Sequence, residues 1–286
     1  FSTILKQPYV ETLREYAPGV DAGLADVTIT PAIRPAEKAI VNVLGDGTYQ
    51  KIKDLPEDDE IRIEFIAALS NLVMFHYKIW ETIRKRQDQQ KDTYKYELER
   101  MQNSYLDNFY AHIDGLIELM TDTDRVPEWK QSDTYKMSLL LLIQDAAEFN
   151  TFYEIDTSYF FFFKSVFLQR KVLDKHITPG IDIEKIDEDQ KRRVKAITAQ
   201  LTVAYALRQF DMMAIPRTIR NSGADGPSRS GTGEQDALIS LSDFLFDEAQ
   251  KDLAALIQDI NRPEPGQDLP SDTNINDIRN KYYFIP

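Results

Sequence analysis

The side chains that could do chemistry are few and scattered. His76, His112 and His176 are the only histidines, and they lie far apart in the chain. A helix that binds metal sets its ligands at HxxxH or ExxH spacing so that two share one face, and none of the three has such a neighbour. His76 falls in an apolar stretch and reads as a hydrogen-bonded or boundary residue. Carboxylates are abundant, with close sets such as Glu97/Glu99 and Asp58-Asp59-Glu60. Acid–base catalysis needs a pocket that pushes one carboxyl away from its ordinary pKa. At a helix start, Asp58, Asp59 and Glu60 do the simpler work of complementing the helix dipole. No serine sits in the GxSxG turn of a nucleophile elbow. The glycine-rich stretch Gly223–Gly233 lacks the lysine and the preceding strand of a phosphate-binding loop, so it reads as a flexible connection. Cysteine is absent, which removes thiol nucleophiles, thiolate metal sites and disulfides. The expectation is a non-enzyme with no catalytic, cofactor-binding or metal-binding residues.

Two other features point to partners. Arg84, Lys85 and Arg86 end one long helix, while Arg217, Arg220 and Arg229 follow another. Such cations complement helix C-termini, or they present a basic rim to an acidic partner or to DNA. The chain then closes on Lys281–Pro286, whose Tyr282, Tyr283 and Phe284 are too apolar to stand in water without contacts. This ending either packs back on its own domain or reaches a neighbouring subunit as an extended arm. These cations and aromatics are the candidate partner contacts.

Composition bounds the rest. A chain of 286 residues suits one large domain or two of about 100–150 residues each. An apolar content of 42% supports a real core. The formal charge of -13 argues against coating DNA, which needs a basic face to displace counterions, but leaves open an acidic wall beside it. No run reaches the roughly 18–20 apolar residues of a membrane span, and the most apolar one, Met137–Ile143, is short. The chain starts at Phe1 with no signal peptide, and one removed earlier would leave no trace. The lack of cysteine fits a reducing, cytoplasmic compartment.

The elements follow a helical order that is written twice. Tyr9–Tyr16 forms a short helix ended by Pro18-Gly19. A second helix starts with Thr30 as N-cap and Pro31 at its first position, and stops at Gly45 as a left-handed C-cap. After the loop from Asp46 come a long acid-started helix over 59–86, a polar loop and the helix Thr93–Met120. In the second half, Thr134–Phe149 takes the place of Tyr9–Tyr16. A helix capped by Asp156, Thr157 or Ser158 carries the aromatic run Tyr159–Phe163 and ends near Gly180, in the role of Gly45. That run reads as a core helix between the halves, with an oligomer contact as the alternative. Asp187–Met213 and then Gln235–Ile260 complete the order. Advancing Thr93–Met120 by 140 positions lays Leu98 on Leu238, Met101 on Leu241, Tyr105 on Leu245, Ile113 on Leu253 and Leu116 on Leu256. These spacings mark the buried stripe of an amphipathic helix. The reading is all-α: two similar helical-bundle repeats over 1–125 and 126–262, with an extended tail over 263–286.

The stretch IRPAEKAIVNVLGDGTYQKI, the acid-started helix after it and the matching IDTSYFFFFKSVFLQRKVL of the second half resemble uncharacterised helical proteins of tailed phages and prophages. More loosely, the layout is similar to head–tail connector (adaptor or head-completion) proteins, in two tandem copies. That resemblance implies a virion structural protein that binds other virion proteins or copies of itself, with a ring as one form of self-assembly. It would reside in the host cytoplasm during assembly and then in the virion. Contact with DNA is left open. A cytoplasmic helical scaffold unrelated to virions is the alternative, and a hydrolase with a site between the halves is a third reading.

Overall fold

A computed structural model describes residues 3–87, 95–222 and 231–262, and their regular structure is helical throughout. In chain order the elements are α1 (Tyr9–Tyr16), α2 (Asp26–Leu44), α3 (Asp46–Asp54), α4 (Glu60–Gln87), α5 (Lys95–Asp122), α6 (Pro127–Gln131), α7 (Asp133–Ser138), α8 (Ala146–Phe152), α9 (Tyr159–Val172), α10 (Glu188–Gln209), α11 (Arg217–Ser222) and α12 (Gly231–Ile260). The all-α class expected from the sequence is what the chain adopts.

In the first half α4 is the central helix, packed along α5 and flanked by α2 and α1. It can serve so many neighbours because Ala67 to Met74 are buried on every side. In the second half α10 takes the same place, packed along α12 and flanked by α9 and α8. The order of packing is thus repeated, and the buried positions keep register. One constant shift lays Ile29, Ala32, Ile33, Ile40 and Leu44 of α2 on Phe162, Ser165, Val166, Leu173 and Ile177. The same shift lays Ile61, Ala68, Leu69 and Leu72 of α4 on Val194, Leu201, Thr202 and Tyr205, and all of these are buried. Along α5 and α12, Tyr105 and Leu245, Ile113 and Leu253, and Leu116 and Leu256 are buried pairwise.

Several expectations need correction. The second helix starts at Asp26 with Ala25 in the N-cap position, so Thr30 is not its cap and Pro31 and Pro35 lie inside it. Both prolines are solvent-exposed, so the carbonyls that lose an N–H partner can turn to water. Asp26 instead caps α1, accepting from the backbone N–H groups of Tyr9 and Val10 at 2.9 Å each. Gly45 does end α2 at positive φ, but with φ 88° and ψ 151°, a conformation reserved for glycine rather than the αL cap. The loop expected after it begins with a helix, α3, because Thr48, Tyr49 and Ile52 are drawn into the core. Gly180 does not share the role of Gly45. It has no positive φ, and a Cβ there would meet only the end of the Ile257 side chain, at 2.9 Å from Cδ1, which can move aside.

The largest departure is at Thr134–Phe149. In place of one helix the chain forms α7, a turn and α8, and α8 rather than the whole stretch matches α1. Two caps explain the break. Ser132 accepts from the Tyr135 N–H at the start of α7, and Asp145 accepts from the Glu148 N–H at the start of α8. The boundary region also differs from a plain linker: α6 buries Trp129, whose indole N–H donates to Thr121 Oγ1 at 3.1 Å and whose ring meets Phe163 at 4.7 Å. Trp129→Ala is expected to lower stability by about 3–5 kcal/mol. Urea unfolding followed by circular dichroism measures this, and a loss under about 1 kcal/mol would show that the site collapses to fill the space.

Candidate functional site

The junction between the halves is where polar chemistry is concentrated. Its base is a stripe on α5: Asn103, Asp107, Tyr110 and Asp114 recur at intervals of three and four residues and so share a face. Each reaches into the second half. Asp114 Oδ1 accepts from the Phe160 backbone N–H at 2.7 Å and from the Ser158 hydroxyl at 3.1 Å. The N-terminus of α9 is therefore capped twice, by its own Ser158, which accepts from the Phe161 N–H, and by Asp114 from the other half. The Phe160 ring packs edge-on against Phe109 at 5.2 Å and Tyr110 at 6.0 Å. The Tyr110 hydroxyl donates to the Met213 carbonyl at 3.1 Å.

α11 closes the other end of the junction. Asp156 and Thr157, at φ 56° and 51°, turn the chain so that the Asp156 carboxylate caps α11 by accepting from the backbone N–H (3.0 Å) and the hydroxyl of Thr218. From α11, Arg217 Nη1 reaches Asp107 at 2.8 Å and Arg220 Nη1 donates to Asn103 Oδ1 at 3.2 Å. The Arg217 pair is partly exposed and contributes on the order of 0–1 kcal/mol. Arg220 is different: it is buried, and its Nε and Nη2 have no hydrogen-bond partner among the described residues.

Of the candidate partner contacts, Arg217 and Arg220 are thus brought together, and what they touch is the chain's own α5. Arg84, Lys85 and Arg86 lie in the last turn of α4. Arg229, Tyr282, Tyr283 and Phe284 lie outside the described residues. The constant shift that relates α4 to α10 lays Arg84 on Arg217. The second half breaks before that point: α10 ends at Gln209 with Phe210 extended, and α11 follows as a separate short helix with Pro216 just ahead of its first residue.

Asp114 has the perturbed acidity of the junction. Desolvation raises its carboxyl to about 7 and outweighs the Phe160 and Ser158 hydrogen bonds, which favour the ionised form; the nearby Asp156 charge adds to the rise. The residue as a whole is only partly exposed, with its carboxylate turned into the junction. Committed to the α9 cap, this carboxylate is placed to hold a helix rather than to pass a proton to a substrate. Tyr110 is likewise pushed well above the usual phenol range, by desolvation first and then by the charge of Asp114.

The histidines serve three different places. His112 Nδ1 meets Glu64 Oε2 at 2.7 Å, and His176 is held between Tyr205 Oη at 2.9 Å and Gln250 Nε2 at 3.1 Å. Burial lowers the pKa of His76, whose Nε2 has no hydrogen-bond partner among the described residues. Among the described residues, no group of three or more His, Cys, Asp or Glu side chains is placed to hold a metal ion, and no helix is long and apolar enough to cross a membrane. Asp59 caps α4 by accepting from the Ile61 N–H at 2.9 Å and also meets Arg125. The aromatic run Phe160–Phe163 is buried, as a core helix requires.

Sequence reasoning missed the surface that the short helices create. Met137, Leu139 and Leu140 stand outside at 42%, 52% and 73% exposure, while Leu141 and Ile143 turn inward. Phe167 on α9 and Phe244 on α12 are also more than half a residue's surface open to solvent, or close to it, at 50% and 60%. Comparison of the chain with protein-family models, curated proteins and solved structures finds no match.

The junction makes a prediction about pH. A carboxyl raised in the folded state above its unfolded value adds stability below the unfolded pKa, and that contribution is lost as pH rises through the folded value. For Asp114 the window runs from about 4 to about 7. Asp114→Asn keeps an acceptor oxygen for the Phe160 N–H and removes the titration. Its urea midpoint should therefore fall less than that of the parent chain between pH 5 and pH 8. Equal pH dependence in the two proteins would remove Asp114 from this role.

Proposed function

We propose that the chain is a non-enzymatic assembly module of a phage or prophage particle, connector-like in its role, built by duplication of one helical unit. The observation that carries the assembly reading is the Met137/Leu139/Leu140 turn. An exposed apolar cluster of this kind, projecting between two capped helices whose neighbours are buried, marks a surface for protein contact. Support for duplication comes from the repeated packing order and the shared register of buried positions in α2 with α9, α4 with α10, and α5 with α12. The virion context rests on the sequence resemblance. On this reading the work is done by surfaces, and the partners are copies of the chain or other virion proteins.

Light scattering coupled to size exclusion tests it. The parent chain is expected to form an oligomer, and Leu139→Asp with Leu140→Asp to shift it to the monomer. Both positions are exposed, so the double variant should keep the helical signal of the parent. A parent chain that stays monomeric at high concentration contradicts self-assembly through this turn. Gene neighbourhood separates the virion reading from a cytoplasmic scaffold: portal, capsid and tail genes nearby support it, and a metabolic neighbourhood opposes it.

A further inference from the structure

A polar cleft of about 500 Å³ lies where the start of α3 meets the start of α7. The two corners approach closely: a Cβ on Gly45 would stand 3.7 Å from Ser132 Cβ. Three acids line the cleft, each in the first turn of a helix: Asp46 of α3, Glu128 of α6 and Asp133 of α7. A helix N-terminus offsets only about half a charge, so three carboxylates leave the cleft negative. Of the cations in 121–138, Lys130 is held by Asp124 at 2.9 Å and Arg125 by Asp59 at 3.3 Å, and Lys136 is exposed. Two buried oxygens then point to a ligand. Thr48 lines the cleft while only 1% exposed, and its Oγ1 has no hydrogen-bond partner among the described residues; nor has Oε2 of Glu128. A threonine in a helix can return its hydroxyl to a carbonyl of the preceding turn, which Thr48 does not do. A buried carboxylate oxygen without a donor is costlier still.

We propose that this cleft binds the guanidinium of an arginine presented by a partner protein. Its charge and its unpartnered acceptors call for a cation that brings hydrogen-bond donors. Arginine supplies five N–H groups in a planar fork, which suits a carboxylate and a hydroxyl together. The outermost torsion of a glutamate is broad, so Glu128 can turn either oxygen to the incoming group. A single metal ion fits less well, because the acids of the cleft do not form a group placed to hold one. The volume, by contrast, lies within the range of roughly 300–1,000 Å³ common for ligand sites. α7 runs from this cleft to the exposed Met137/Leu139/Leu140 turn, so a bound arginine stands one short helix away from that apolar cluster. That the arginine comes from a protein rests on the assembly reading; the preference for a guanidinium does not.

Nuclear magnetic resonance of the full chain, isotope-labelled and deuterated, tests this. The chain is titrated at low salt with the peptide acetyl-Gly-Arg-Gly-amide and with its citrulline and lysine counterparts. The amides of Gly45, Gly47 and Ser132 report on the cleft, and that of Gly115 on α5 is a remote control. Gly47→Ala identifies one reporter, because a Cβ there meets nothing within 4 Å. The arginine peptide is expected to move the three cleft amides, and not Gly115, with a millimolar Kd, and the citrulline peptide to leave them in place. Glu128→Gln keeps the shape of the side chain and should raise that Kd about tenfold; Thr48→Val should raise it about threefold with the parent's helical signal retained. Four results would each overturn the proposal: no shift at about 20 mM arginine peptide, equal affinity for the citrulline or lysine peptide, an unchanged Kd in both variants, or calcium chloride saturating the same amides at a lower concentration. A parent chain that is monomeric yet binds the arginine peptide supports the cleft and counts against the apolar turn, so the two readings fail separately.

Discussion

A helix N-terminus leaves backbone N–H groups without partners, and burial makes them costly unless something accepts from them. The aromatic helix α9 meets this constraint with a carboxylate from the other half of the chain. Asp114 takes the Phe160 N–H and the Ser158 hydroxyl, and the position of α9 on α5 follows from that geometry. Once α9 is placed there, Phe160 packs against Phe109 and Tyr110, α10 and α8 pack on α9, and α12 packs along α10. The first half uses a related device on a smaller scale, where Asp26 of α2 holds the start of α1. Desolvation of Asp114 is the cost of the arrangement, seen in a carboxyl pushed up to about 7.

Two buried polar side chains, one at the junction and one in the first half, are only partly satisfied. Arg220 is buried with one guanidinium nitrogen bonded to Asn103, and Glu37 is buried with Oε1 accepting from Thr3 and Tyr49 while Oε2 has no partner among the described residues. Glu37 has no equivalent in the second half: the matching position is Arg170, which lies at the surface and pairs with Asp174 at 3.0 Å. The halves are therefore alike in their apolar register and different in their polar fittings. This is the pattern expected when packing is constrained by shape at every buried position, while charged groups answer to local neighbours.

Much of the fold was legible because its long helices announce themselves. Acidic starts and apolar stripes placed α4 and α10 within a residue or two of their N-termini, and the stripe of α5 reappears in α12. The short elements were not legible. In Leu139–Ile143 consecutive apolar residues have no period, so nothing in the run says which leucines turn outward; the caps at Ser132 and Asp145 decide it. DGTYQKIKD looks like a loop because only Thr48, Tyr49 and Ile52 are buried, and their burial depends on α2 and α4 being in place. The junction stripe was hidden in plain view: Asn103, Asp107, Tyr110 and Asp114 have helical spacing, yet a polar face on a helix ordinarily meets water. The signal was that spacing, together with the tyrosine among the acids. Arg217 and Arg220 stood out as cations in the sequence, but their partners on α5 lie more than a hundred residues earlier.

The central claim is that two helical halves with one packing order are locked into a single unit through the α5 face. Native-state hydrogen exchange read by mass spectrometry, at rising urea below the unfolding transition, tests it most directly. The account predicts that the innermost amides of α4 and of α10 converge on the same opening free energy, because neither core survives loss of the junction. If the α10 amides exchange through an opening of distinctly lower free energy while those of α4 stay protected, the halves are independent domains and the claim is wrong.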